Sequence, residues 1–168
     1  MRKQLLIPAM LILATGLLQG CNQQDTAAKA QTDAAKAQAD IAKAQADGQK
    51  KVVDAQAKLD QVVAQNNKNV VGAQADAQTQ AVKDPNAPPP PDNADVIKAH
   101  NAAENKVADA QYDVDKAKAE ADKEVAEARC KTQAGAAHDS CVATAKAAYD
   151  SAVAAAKAKN DAAHASHP

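Results

Sequence analysis

Three cysteines and four histidines are the first candidates in this 168-residue chain for covalent or metal chemistry. Cys130 and Cys141 stand on either side of Gly135, at a spacing that an antiparallel helical hairpin would bring together. In an oxidising compartment they are expected to form a disulfide, which closes a loop of about twelve residues and contributes roughly 3 kcal/mol in the chain-entropy model. A metal site would need further ligands besides His138, and a redox pair more often has Cys-x-x-Cys spacing.

The histidines are spread along the chain, at His100, His138, His164 and His167. The last two fall within residues 161–168, for which we expect a flexible tail rather than a metal site. The sequence has no Ser-His-Asp order, no pair of carboxylates and no glycine-rich phosphate loop in a context that could build a pocket. We therefore expect a non-enzymatic protein with no cofactor and no metal.

The first twenty residues have the pattern of a secretory signal peptide. Arg2 and Lys3 are followed by an apolar run from Leu5 to Leu18, and small Gly20 precedes Cys21. The run is shorter than the roughly 20 residues that cross a bilayer as a helix, which disfavours a permanent span. Residues 1–20 are accordingly predicted to be a signal peptide.

The residues Leu18, Gln19, Gly20 and Cys21 resemble the lipobox of bacterial lipoproteins. This resemblance implies cleavage between Gly20 and Cys21 and lipidation of Cys21, so that the membrane becomes a partner through acyl chains. Each buried methylene of such a chain contributes about 0.8 kcal/mol. Asn22 implies, by the same resemblance, sorting to the periplasmic face of the outer membrane. The alternative is an ordinary signal peptide with a coincidental cysteine, or an uncleaved anchor.

The composition favours helices without a large core. Roughly a quarter of the residues are alanine, phenylalanine and tryptophan are absent, and there are two tyrosines. Alanine is the best helix former but buries little surface, so an elongated all-α protein is expected. The formal net charge is −1, and no long block is basic. Nucleic acid is therefore not expected as a partner.

Residues 21–83 are predicted to form an alanine-rich long helix with coiled-coil character, because a seven-residue repeat runs from Ala27 to Asp47. If unbroken from Asp25 to Val82, this helix would be roughly 90 Å long.

A short heptad-like seam follows in the same segment, at Val52, Ala55, Leu59 and Val62. Continuing its phase places Asn66 and Asn69 in the seam, where polar residues either set the register between helices or mark a weak place in one. Nearby Gly72 suggests a local weakening of the helix. Two interpretations remain open: self-association of the chain through this seam, or a single exposed helix.

Residues 84–93 contain Pro85 and the run Pro88 to Pro91, and they are predicted to be a semi-rigid proline-rich linker. Residues 94–160 are predicted to be a helical hairpin. Its first helix should end near Ala134 with Gly135 as a left-handed terminator, and Asp139 or Ser140 should cap its second helix. The apolar positions at helical spacing in the two helices are Val96, Ala99, Ala103, Val107, Ala110, Val114, Ala117, Ala121, Val125 and Ala128, then Val142, Ala145, Tyr149, Ala152, Val153 and Ala156.

Residues 103–159, with the two cysteines, Gly135, Ala145 and Tyr149, resemble an alanine-rich group of exported proteobacterial proteins, which implies no activity. The lipobox and the alanine-rich heptads together resemble Braun's murein lipoprotein, which links the outer membrane to peptidoglycan. The present chain ends in Ala165-Ser166-His167-Pro168 and lacks the terminal lysine used for that link. Any contact with the cell wall is therefore expected to be noncovalent.

These observations favour a lipid-anchored structural spacer or organiser of the bacterial outer envelope. Its stapled hairpin would form the tip and touch peptidoglycan or an envelope protein, with homo-oligomers as a further partner. The alternative is a stress-protective hydrophilic helix former, because the Ala/Lys/Gln/Asp repeats resemble late embryogenesis abundant proteins, which are disordered in water and fold on drying.

Overall fold

The computed structural model describes residues 23–83 and 94–166, which form three α-helices and contain no strand. Helix α1 spans Gln23–Lys83, α2 spans Ala94–Cys130 and α3 spans Gly135–Ser166. The all-α class and the antiparallel hairpin of α2 and α3 are thereby confirmed. The predicted signal peptide and the predicted proline-rich linker lie outside the described residues.

Helix α1 is continuous over 61 residues, or about 90 Å at 1.5 Å per residue. It ends at Lys83, directly before Asp84-Pro85, because proline disfavours helical geometry in the residue that precedes it. The helix runs without a break through Asn69 and Gly72, where the sequence suggested a local weakening. Alanine and glutamine neighbours have high helix propensity, which offsets a cost of about 1 kcal/mol for the glycine.

Helix α1 folds back along α2 in the antiparallel direction. Leu59 packs with Ala110 and Val114 near the middle of the contact, and Gly48 approaches Ala121 further toward the start of α1. The long helix therefore does not extend away from the hairpin, and the valines that suggested self-association have their partner within the same chain.

Apart from Asp40, the buried and half-buried residues of α1 recur every three or four positions, and we call them the α2-facing seam. Its members are Ala37, Ile41, Ala44, Gly48, Val52, Ala55, Leu59, Val62, Asn66, Val70, Ala73 and Ala77. Eleven steps cover the forty residues from first to last, which matches the 3.6 residues per turn of a straight helix better than the 3.5 of a heptad repeat. The heptad phase is therefore right from Val52 to Asn66 and then fails, because Val70 is half-buried and Asn69 is exposed.

Helix α2 lies between the other two helices. The face of α2 that packs on α1 carries the ten apolar positions predicted from the sequence, and all of them are buried or half-buried. Its opposite face, with buried Ala119 and Cys130, packs on α3. Close backbone contacts join α2 to each neighbour, and none joins α1 to α3 within the two described ranges. The three helices form a layer rather than a closed bundle.

The turn between α2 and α3 falls about four residues earlier than predicted. Helix α2 ends at Cys130 instead of Ala134, and the backbone N–H of Gln133 donates to the carbonyl of Cys130 at 2.9 Å. Gly135 has a φ of 56°, the left-handed conformation expected of it, but it opens α3 instead of directly terminating α2. Helix α3 therefore begins before Asp139 and Ser140. In α3, Ala152 is exposed, contrary to the prediction, and its neighbour Val153 is half-buried.

The contact between Gly48 and Ala121 is the tightest constraint on the spacing of α1 and α2. A methyl group built on Gly48 would stand 2.7 Å from Cβ of Ala121, which is closer than such atoms approach in proteins, and 3.1 Å from its Cα, which is a tight contact. Gly72 lies in the same helix with nothing within 4 Å of the corresponding position. The two glycines therefore make a matched pair.

We predict opposite effects for Gly48→Ala and Gly72→Ala. Gly72→Ala should raise the free energy of unfolding by about 0.5–1 kcal/mol through helix propensity. Gly48→Ala gains the same propensity but forces the helices apart, and overpacking of this kind costs about 1–3 kcal/mol, so a net loss is expected. Urea denaturation followed by circular dichroism measures both, and adding Ala121→Gly to Gly48→Ala should recover part of the packing loss. Equal stabilisation by the two single substitutions would contradict this packing.

Candidate functional site

The expected lipidation and cleavage residues, Cys21 and Gly20, lie outside the described residues. Helix α1 begins at Gln23, two positions after Cys21. From Ala28 to Lys36 every residue of α1 is exposed, and the α2-facing seam starts only at Ala37. The part of α1 from Gln23 to Lys36 therefore projects about 20 Å beyond the rest of the fold.

The disulfide between Cys130 and Cys141 is present in the structure, with the two Cα atoms 5.6 Å apart. Cys130 is fully buried at the end of α2, where small neighbours let the helices approach closely. Ala128 and Lys131, beside the staple, line a groove with Asp40 of α1. The stapled turn thus lies level with the early part of α1, on the side of Cys21. The expectation that this turn forms the far tip was wrong, because α1 and α2 run antiparallel.

The other end of the α2–α3 pair is joined by polar contacts. Nε2 of His164 lies 2.8 Å from Oδ1 of Asp109, and Nδ2 of Asn160 donates to the same oxygen at 3.2 Å. The hydrogen bond with His164, helped by that from Asn160, lowers the pKa of Asp109 below its ordinary value. Helix α3 continues to Ser166 and is fastened at His164, so residues 161–166 are not the tail that the sequence suggested. His167 lies outside the described residues.

The remaining histidines have carboxylate neighbours on their own helices. Nδ1 of His100 lies 3.3 Å from Glu104, and Nδ1 of His138 lies 3.2 Å from Asp139. Across residues 23–83 and 94–166, histidine, cysteine and carboxylate side chains form no group of three or more that could hold a metal ion. Over the same ranges, no helix combines the length and apolar character needed to cross a membrane.

Asn66 is the buried polar residue of the α1–α2 contact. Its side chain is 5% exposed, and its Nδ2 donates to the backbone carbonyl of Ala103 at 2.7 Å. A seam position thus holds an amide that bonds one carbonyl of the facing helix, which fixes the register of α1 against α2. The prediction that Asn66 lies in a helix seam is confirmed, and its partner is α2.

The two sides of the α1–α2 pair differ in charge. One side is a groove in which nine of the eleven lining residues are charged: Asp40, Lys43, Asp47, Lys50, Lys51, Asp54, Glu124, Glu127 and Lys131. Lys51 and Glu124 form an ion pair across it, and the hydrogen bond that Lys51 donates to the Glu124 carboxylate raises the pKa of Lys51. On the other side, a groove of about 620 Å³ is lined mainly by uncharged residues, among them Val63, Val70, Val71 and Val107. This arrangement offers surfaces for binding along the helices rather than an enclosed reaction site.

Comparison with protein-family models, with curated proteins and with solved structures gives no match. The functional interpretation therefore depends on the sequence patterns and on the geometry of the described residues. Sequence reasoning missed the contacts of Gly48, of Asp109 and of Lys51, because each joins residues far apart in the chain. The difference in charge between the two sides of α1 could have been predicted from the sequence, because its lysines and aspartates stand at regular steps from the seam positions.

We predict that Asn66→Asp destabilises the protein and that Asn69→Asp does not. The aspartate at position 66 would face the Ala103 carbonyl with no N–H to donate, and it would be a buried charge, so a loss of about 2–4 kcal/mol is expected. Asn69 is exposed, and the same change there should alter the free energy of unfolding by less than about 0.5 kcal/mol. Urea denaturation of both variants at neutral pH is the measurement. Similar stabilities for the two would show that the Asn66 contact does not form.

We predict that replacing Cys130 and Cys141 together by alanine lowers the free energy of unfolding by roughly 3 kcal/mol. The staple joins α2 to α3 only, so amide hydrogen exchange should accelerate in α3 more than around Leu59 in the α1–α2 contact. Reductant should reproduce this change in the unaltered protein and leave the alanine variant unaffected. Unchanged melting of the unaltered protein in reductant would rule out a stabilising disulfide.

Proposed function

We propose that the chain is a lipid-anchored, non-enzymatic spacer or organiser of the bacterial outer envelope. Its tether would be Cys21, its projecting segment the start of α1, and its working surface the α1–α2–α3 layer. The proposal combines the lipobox resemblance, which supplies the anchor and its place at the periplasmic face of the outer membrane, with the shape of the described residues.

The observation that carries the proposal is the uninterrupted helix α1 and the way it meets the layer. In its first part, every residue from Ala28 to Lys36 is exposed. This part holds its helical form without packing on another helix because it is rich in alanine. Its remainder is fixed to α2 by the seam, the Asn66 hydrogen bond and the Lys51–Glu124 ion pair. A rigid connection of this kind would hold the layer at a defined distance from a membrane, which a flexible linker does not do.

The end of the layer farthest from Cys21 is the proposed place of contact with peptidoglycan or an envelope protein. It contains the end of α1 and the start of α2, where Ile97 is 55% exposed. The stapled turn points toward the anchor and is a poorer candidate. The proposed contact is noncovalent.

The alternative, a stress-protective chain that folds only on drying, predicts mostly coil in dilute buffer. The register contact of Asn66 and the staple across α2 and α3 support the folded layer instead. Circular dichroism of the protein in dilute buffer separates the two functions: high helicity with a cooperative melt supports the spacer, and coil that becomes helical on dehydration supports protection.

A shortened variant tests the spacer directly. Deleting residues 30–36 removes seven residues of the projecting segment, about two turns, and should bring the layer roughly 10 Å nearer the membrane without altering the seam. The variant should stay anchored and folded but fail to restore envelope spacing and detergent resistance in cells that lack the gene. A control with Lys29 and Lys36 changed to glutamine keeps the length and should restore both.

Three results would count against the proposal. Mass spectrometry could find Cys21 without acyl groups, the protein could fractionate with the cytosol, or loss of the gene could leave envelope spacing, integrity and detergent sensitivity unaltered.

A further inference from the structure

Beside the α2-facing seam, α1 carries a second row of residues that stays exposed to solvent in the described part of the chain. It follows the same steps of three and four residues along the side of α1 away from the charged groove. Its members, all exposed, are Ala28, Gln31, Ala35, Gln38, Ala42, Gln45, Gln49, Val53, Gln56, Asp60, Val63, Asn67, Val71, Gln74 and Gln78. We call this row the amide–valine stripe.

The stripe is depleted in charge. Between Ala28 and Thr79, α1 has thirteen lysine and aspartate residues, and Asp60 is the one that falls on the stripe. The stripe holds fifteen of the fifty-two positions, so an even distribution would place three or four charges there. The charges of α1 are instead on its other exposed sides, including the charged groove.

The exposed aliphatic residues are concentrated on the same row. Among the described residues, four large hydrophobic side chains are exposed, and three of them are on the stripe: Val53 at 64%, Val63 at 37% and Val71 at 63%. Two grooves confirm that the row keeps to one side of the α1–α2 pair. Val63 and Val71 line the groove of about 620 Å³, and Gln49 and Val53 line a second groove on the same side.

We propose that the amide–valine stripe is a self-association surface, on which two copies of this chain pack α1 against α1, parallel and in register. In that arrangement each side chain meets its own copy. A charged residue would be repelled by its copy, whereas a glutamine or asparagine can both donate to and accept from its copy, and a valine packs on a valine. A surface that pairs with itself in register must therefore be nearly free of charge, as this one is.

The extent of the stripe selects the parallel orientation. The stripe continues onto the projecting segment at Ala28, Gln31 and Ala35, where α2 does not reach. An antiparallel pair that matches Val53 with Val71 leaves both projecting segments uncovered. One that covers the whole stripe pairs Val71 with Ala35, so that Val53 meets its own copy but Val63 and Val71 have no valine opposite them. The parallel, in-register pair alone covers the stripe and matches all three valines.

Charged residues of α2 disfavour a contact in which the stripe of one copy packs on α2 of the other. The α2 side of the two grooves contains Glu104, Lys118, Asp122 and Arg129, which would have to be desolvated against amides and valines. The parallel orientation follows from the residues of the stripe and does not require the lipid tether, although it leaves both copies of Cys21 at the same end. A chain that does not dimerise could therefore still be an anchored spacer, and a chain without a lipid anchor could still dimerise through the stripe.

Cysteine crosslinking of the full-length protein in its membrane tests the inference. Val63→Cys should form a dimer on mild oxidation, whereas Gln61→Cys, an exposed position of the same helix off the stripe, should not exceed the background of the unaltered protein. When Val53→Cys and Val71→Cys proteins of different size are mixed, each should link to itself. A mixed Val53–Val71 dimer would overturn the parallel register, and crosslinking to a different protein, or none at Val63, would overturn self-association.

A charge variant supplies an independent measurement. Val63→Lys with Val71→Lys places two like-charge contacts in each dimer, and both positions are exposed in the single chain, so the fold should persist. Sedimentation of the full-length protein in detergent should show self-affinity lowered at least about tenfold, a change of 1.4 kcal/mol. The control, Gln61→Lys with Gln65→Lys, adds the same charge off the stripe and should dimerise normally. Equal dimerisation of both variants would overturn the inference.

Discussion

The close approach of α1 to α2 is the constraint on which the rest of the structure depends. The seam consists mostly of alanine, valine and one glycine, so each residue buries little apolar surface and contributes little alone. Such residues do allow the helix axes to come close over a long distance, and many small contacts then sum. Gly48 permits the approach, Leu59 fills the middle, and Asn66 fixes the register.

The same shortage of large side chains explains the layered shape. A closed three-helix bundle needs bulky residues to fill the space at its centre, and this chain has no phenylalanine or tryptophan. Helix α2 instead presents small residues on two opposite faces and pairs separately with each neighbour. The α2–α3 pair has few large apolar contacts. It is therefore stabilised at its ends, by the disulfide at one end and by the Asp109–His164 hydrogen bond at the other.

This architecture is suited to holding surfaces at a distance. The layer is thin, most of its side chains reach solvent, and the described part has open grooves along its length. A tether at Cys21 would place the stapled turn toward the membrane and the start of α2 away from it. The amide–valine stripe would then run parallel to the long axis, where a second copy standing beside the first could reach it.

Alanine content, apolar spacing and the positions of the prolines, of Gly135 and of the two cysteines were enough to predict the helical class, the number of helices, the hairpin and its disulfide, because these depend on residues close together in sequence. The tertiary structure alone decided that α1 folds back on α2, that its seam follows a straight-helix period, and that His164 is fastened by Asp109. A seam of small side chains fits several partner helices about equally well, so the periodicity of the sequence does not show which helix is the partner. The choice depends on where a methyl group would collide, as at Gly48, and on which carbonyl a buried amide such as Asn66 can reach.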